Sequence, residues 1–130
     1  MDICSAIKNH QYIIGKSLDE KTEEEIIELL LEDSCIENIS EFKSVAVDIN
    51  KYRIYTTVEW NGSPLYEEIY ETGDLKEEFE YIKNDFRKFT KLMFKTTDRI
   101  PRLVGKRIDE IEKKIRDKFP QVVYVDIEIN

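Results

Sequence analysis

The stretch GKRIDEIEKKIRDKFPQVVYVDIEIN, Gly105–Asn130, reads as a helix, a proline break and a strand. Ile108, Ile111, Ile115 and Phe119 recur at helical spacing, while Lys113, Lys114, Arg116 and Lys118 fill the opposite side. Pro120 stops the helix, because proline disfavours helical geometry in the residue before it. Beyond it the residues alternate. Val123, Val125, Ile127 and Ile129 are expected on one face of a strand, and Val122, Tyr124, Asp126 and Glu128 on the other.

Working outward from this unit, the preceding chain supplies elements that such a strand could join. Thr22 followed by Glu25 has capping-box spacing, and the apolar stripe of Ile26, Ile27, Leu29, Leu30 and Leu31 predicts a helix from about Thr22 to Asp33. Phe42–Ile49 predicts a strand in which Val45, Val47 and Ile49 alternate with Ser44, Ala46 and Asp48. Asn50 and Lys51 connect it to a second strand, with Tyr52, Ile54, Thr56, Val58 and Trp60 on one face, so the two strands form a hairpin. Asn61-Gly62 and Pro64 end it. Leu65–Tyr70 fits either an extended segment or a short helical turn. Asp74 and Glu77 form another capping pair. Leu75, Phe79, Ile82, Phe86, Phe89 and Met93 then predict one long amphipathic helix with an aromatic seam. That seam covers the domain's own core or binds a partner. Lys95–Pro101 reads as a linker, and Leu103 begins the final helix.

The order is helix, strand, strand, long helix, helix, strand. A strand–helix–strand crossover favours parallel pairing of its outer strands with a right-handed connection. The expected fold class is α+β, a small mixed three-stranded sheet with helices on one face plus an extra long helix. Residues 1–19 are a lead-in segment, and residues 20–130 are a single domain with an inserted helical segment at about 65–102.

The 130 residues suffice for one domain with a real core, and 41% hydrophobic with 37% charged residues argues for compact structure. The net charge of −8 repels phosphate backbones, so nucleic-acid binding is not expected. No run approaches the ~18 apolar residues of a membrane span. The first fifteen residues lack the basic start and apolar core of a signal peptide, so the chain is expected to be soluble. Cys4 and Cys35 match no zinc or redox spacing and read as thiols in a reducing compartment, Cys35 filling space near a helix end.

Catalytic signatures are missing. There is no glycine-rich phosphate loop and no nucleophile elbow, and His10, in the lead-in segment, is the one histidine. No catalytic residue is assigned and no enzyme is expected. A metal site rich in imidazole is impossible within one chain. Asp126 and Glu128 stand two apart on one strand face, where their oxygens could converge on a cation. The same pair equally suits a polar sheet face turned to water.

Ile108-Asp109-Glu110-Ile111-Glu112-Lys113-Lys114-Ile115, Phe119-Pro120-Gln121-Val122 and Val125-Asp126-Ile127-Glu128 together resemble the end of the soluble domain of cation diffusion facilitators. Ile13-Ile14-Gly15-Lys16-Ser17-Leu18 resembles the start of that domain, as does Ile36-Glu37-Asn38-Ile39 leading into Glu41-Phe42-Lys43. The long segment from Leu65 to Arg102 and the Val125–Ile129 ending are closer to the zinc transporter nine-like branch.

The resemblance implies a ferredoxin-like, metallochaperone-like αββαβ fold. It implies a C-terminal dimerisation and regulatory domain of a zinc-type divalent cation efflux transporter, at the cytoplasmic face of a membrane, unable to transport by itself. Its partners would be a second copy and the membrane-spanning part of the same transporter. Dimerisation would use the sheet edge or the aromatic helix. Members of the family bind metal in this domain through histidines; the matching positions here are Ser40, Thr57 and Asp126, with a carboxylate at Glu128. Hydroxyls are weak zinc donors, so only Asp126 and Glu128 could coordinate, and zinc is expected to bind weakly or not at all. Two other readings stand beside this one. One is a metal sensor, in which Asp126, Glu128 and partner-chain acids clamp a cation. The other, ranked last because the sequence supplies neither nucleophile nor phosphate loop, is a free-standing ferredoxin-like ligand-binding or enzyme domain.

Overall fold

A computed structural model describes residues 17–69 and 74–130. Tyr12, Ile13 and Ile14, with Cys4 and His10 of the lead-in segment, lie outside the described residues, as does Tyr70. The chain contains α1 (Glu20–Leu31), β1 (Ile36–Asp48), β2 (Lys51–Trp60), α2 (Ser63–Ile69), α3 (Asp74–Ile82), α4 (Phe86–Lys118) and β3 (Val122–Ile129). It divides into two compact units. One is the sheet unit, up to Asn61 together with Ile108–Asn130; the other is the helical unit, Gly62–Arg107.

The sheet unit is α+β, as expected. Its three strands lie in the order β1-β2-β3, with β1 antiparallel and β3 parallel to the central β2. α1 and the last turns of α4 share one core with one face of the sheet. Ile26, Ile27 and Leu30 of α1 join Ile111 and Ile115 of α4 and Phe42, Ile54, Val58, Val122 and Val125 of the strands.

The helix α1 begins earlier than the Thr22 capping box predicts. Asp19 is the N-cap: its carboxylate accepts from the Thr22 backbone N–H at 3.2 Å and from Thr22 Oγ1 at 2.6 Å. Thr22 is thus the cap's partner, since a carboxylate three residues ahead satisfies an orphan amide better than a second hydroxyl would. These hydrogen bonds hold the Asp19 carboxyl below its ordinary value.

The strand β1 is longer than predicted, starting at Ile36, and its buried face is the other one. Phe42 and Ser44 are buried and Ala46 packs against the core, whereas Val47 is exposed and Ile49, outside the strand, is 91% exposed. Register shifts between Ile36 and Asn38 and between Ile39 and Glu41 explain how Ile36, Ile39 and Phe42 reach one face at spacings of three. An extra residue at each bulge restores the face that plain alternation would lose. Thr56 Oγ1 donates to the Glu41 carbonyl at 2.9 Å, satisfying a group beside the second bulge. Asp48 pairs with Lys51, so the connection is Ile49-Asn50, with Asn50 at φ 51°. Asparagine tolerates that left-handed conformation better than most residues.

In β3 the alternation slips once. Tyr52 pairs with Val122 but Arg53 pairs with Tyr124, leaving Val123 as the additional residue. Val122 is therefore a core residue at 1% exposure, contrary to its expected place with Tyr124, Asp126 and Glu128.

In the helical unit, Leu65 lies in the helix α2 and is buried, which resolves the Leu65–Tyr70 alternative as far as Ile69. The expected helix from Asp74 to Met93 is two helices. Asp85 ends the run, because its Oδ1 accepts from the Arg87 and Lys88 backbone N–H groups at 3.0 and 3.2 Å and so caps α4. The expected Lys95–Pro101 linker is helical throughout, and α4 passes through Pro101 without ending. Proline removes one backbone donor, but the apolar repeat continues across it through Ile100, Leu103 and Val104 to Ile108.

Candidate functional site

With one sheet face buried, the other carries three cross-strand rows. Val45, Arg53 and Tyr124 form the first; Lys43, Tyr55 and Asp126 the second; Glu41, Thr57 and Glu128 the third. Each β2 member lies beside a buried neighbour, Tyr52, Ile54, Thr56 or Val58, so strand alternation alone turns it outward.

Arg53 organises this face. Its guanidinium stacks 4.5 Å from the Tyr124 ring centroid and 5.8 Å from that of Tyr55, and Nη1 donates to the Tyr55 hydroxyl at 3.5 Å. Its Nε lies 3.5 Å from Asp126 Oδ2. The hydrogen bond to Tyr55 and the nearby Asp126 charge raise the Arg53 pKa above its ordinary value. Lys43 Nζ also stands 4.9 Å from the Tyr55 ring centroid. Beside Asp126 and Glu128 the groove is lined by Glu41, Lys43, Tyr55, Thr57 and, from α4, Glu112. Burial pushes the Glu112 carboxyl above its ordinary value, and the charges of Asp109 and Asp126 add to this against the opposing pull of Arg116.

Asp126 and Glu128 thus share the exposed face, in adjacent rows, as their spacing implies. The positions matched to the family's histidines are also neighbours: Ser40 Oγ donates to the Thr57 carbonyl at 3.2 Å, and Thr57 pairs with Glu128. Among the described residues no three His, Cys, Asp or Glu side chains group closely enough to hold a metal ion. The hydroxyl of Ser40 is engaged by backbone and Asp126 faces a guanidinium. Two members of this face were not found from the residues alone. Glu112 reaches it from a helix whose apolar stripe drew the reading. Arg53 becomes central only through its parallel pairing with Tyr124.

The comparisons point the same way as the residues. The chain is 24% identical over 128 residues to metal tolerance protein C4 of Arabidopsis thaliana, covering 93% of this chain and 28% of that protein. It is 24% identical over 127 residues to the mitochondrial proton-coupled zinc antiporter SLC30A9 of Xenopus laevis, and 24% identical over 124 residues to its Homo sapiens counterpart. In both cases 93% of this chain and 22% of the relative are covered. The chain therefore spans about a quarter of the length of these curated relatives. No protein-family model matches, and no solved structure matches. The matches support a relationship to the cation diffusion facilitators. Among the described residues no helix is long and apolar enough to cross a membrane.

Proposed function

We propose that this chain is the C-terminal dimerisation and regulatory domain of a zinc-type divalent cation efflux transporter of the zinc transporter nine-like branch. The observation that carries the reading is the match of 93% of the chain to about a quarter of proteins named as a metal tolerance protein and zinc antiporters. The α+β sheet unit, closed by a helix and a parallel strand, suits a water-facing appendage. In this reading residues 20–130 form one domain with an inserted helical segment at about 65–102. The domain sits at the cytoplasmic face, pairs with its copy and with the membrane-spanning part, and neither transports nor catalyses alone.

Self-association is tested by sedimentation equilibrium across a concentration series. A reversible dimer is expected, and a strict monomer at the highest concentration contradicts the pairing. Zinc is expected to find at most a weak contact at Asp126 and Glu128. Calorimetric titration should show no submicromolar site. Submicromolar binding abolished by Asp126→Ala with Glu128→Ala would overturn that assignment and favour a metal sensor.

A further inference from the structure

We propose that the first two thirds of α4 form a docking surface for an anionic lipid bilayer, the helix lying along the headgroup layer. The inference is independent of the transporter reading, because it rests only on the helical unit.

Between Phe86 and Arg107 the chain has eight basic residues and one acid, Asp98, within a protein of net charge −8. The whole chain carries 20 basic and 28 acidic residues, so this helix concentrates cations that the rest of the chain outweighs. Projected at about 100° per residue, the segment separates into two arcs. Arg87, Lys91, Lys95, Arg99 and Arg102 share one arc with the single acid Asp98, and all are exposed. Phe86, Phe89, Leu92, Met93 and Ile100 share the other, with Phe94 at its border beside Arg87 and Lys91.

The apolar arc is only partly covered. Leu92 and Ile82 are buried where α3 and α4 meet, leaving an apolar groove bordered by Leu75, Phe79 and Phe89. Outside it, Phe86 is 82% exposed and Phe94 67%. Two phenylalanines so exposed beside an arc of cations form the pattern of a helix that lies in a membrane interface: aromatic rings enter the acyl boundary and long basic side chains reach the headgroups. Charge complementarity selects the occupant, because the positive arc attracts phosphatidylserine-type surfaces and repels basic partners. Among the described residues of the helical unit, the acids are Glu67 and Glu68 on α2, Asp74, Glu77, Glu78 and Glu80 on α3, Asp85 at the cap of α4 and Asp98 on α4, so net positive charge lies on α4 alone. Insertion further requires that Phe86 and Phe94 contribute to binding, which separates it from simple charge attraction.

The test is co-sedimentation of the complete 130-residue chain with vesicles of phosphatidylcholine containing phosphatidylserine, and with pure phosphatidylcholine vesicles. Binding should be at least tenfold tighter to the anionic vesicles and should fall steeply on raising salt from about 0.1 M to about 0.5 M. The triple variant Lys91→Glu, Lys95→Glu, Arg99→Glu should weaken it by roughly 100-fold or more. The pair Phe86→Ser, Phe94→Ser should also weaken it by at least tenfold; at such exposed positions circular dichroism and the melting temperature should be unchanged.

No binding to anionic vesicles overturns the proposal. So does binding unaffected by Phe86→Ser with Phe94→Ser, or matched by soluble polyglutamate, since either reduces the helix to a generic cation. Loss of self-association in the serine pair, without vesicle binding by the parent chain, assigns the face to a second copy and likewise overturns it.

Discussion

Phe42→Ala should cost about 3–5 kcal/mol, read as the change in unfolding free energy from urea titration followed by far-ultraviolet circular dichroism. Phe42 is fully buried and heads the largest buried side chains of the sheet unit. It faces Thr56 across the hairpin and shares the core with α1 and the end of α4. Truncation removes the ring's burial and leaves a cavity that two helices and a bulged strand cannot easily close. Because a domain of this size holds about 5–15 kcal/mol in all, the variant should be close to unfolding at physiological temperature. A loss below about 1 kcal/mol would mean that the bulges of β1 do not place Phe42 inside.

Ser44→Ala is expected to cost about 1–3 kcal/mol although it deletes one oxygen. Ser44 is 2% exposed on the core face of β1. Its Oγ accepts from the Leu18 backbone N–H at 3.0 Å and donates to Glu23 Oε2 at 3.1 Å, with Glu23 itself buried. One hydroxyl thus ties the segment before α1 and a charged side chain of α1 to the sheet. Removing it strands a buried amide and takes a donor from a buried carboxylate. The exposed Ser40, which donates to a backbone carbonyl at 3.2 Å, supplies the contrast. Ser40→Ala should change stability by no more than about 0.5 kcal/mol. Equal effects of the two substitutions in thermal melts would contradict the buried network.

The α+β class, the helical stripe of Ile111 and Ile115 and the outward turn of Asp126 and Glu128 were legible, because helical and strand periodicities persist over several residues there. What was not legible has four physical sources. A buried hydroxyl hides in a polar pattern: Phe42, Ser44 and Ala46 alternate plainly on the inner face, where Ser44 is hydrogen-bonded, although Val45 and Val47 are the more apolar set. Bulges alter the period without changing composition, and one puts Val122 in the core instead of with Tyr124 and Asp126. Caps break a continuous apolar seam: the Leu75–Met93 repeat is unbroken in type, yet Asp85 satisfies the first amides of a new helix. Proline acts locally, and a helix whose apolar repeat continues on both sides of Pro101 survives one lost hydrogen bond. On the candidate face, Tyr124, Asp126 and Glu128 followed from alternation, but Arg53 and Glu112 join them through strand register and helix placement, which no local pattern encodes.

Attachment to a membrane carrier is the claim on which the function rests, and alkaline carbonate extraction of cells making the complete gene product tests it directly. An antibody raised against this chain should find its antigen in the carbonate-resistant membrane pellet, at the mass of a protein several times longer, since the relatives are about four times the length of this chain. Recovery of the antigen in the soluble fraction, at the mass of the 130 residues alone, would contradict the account.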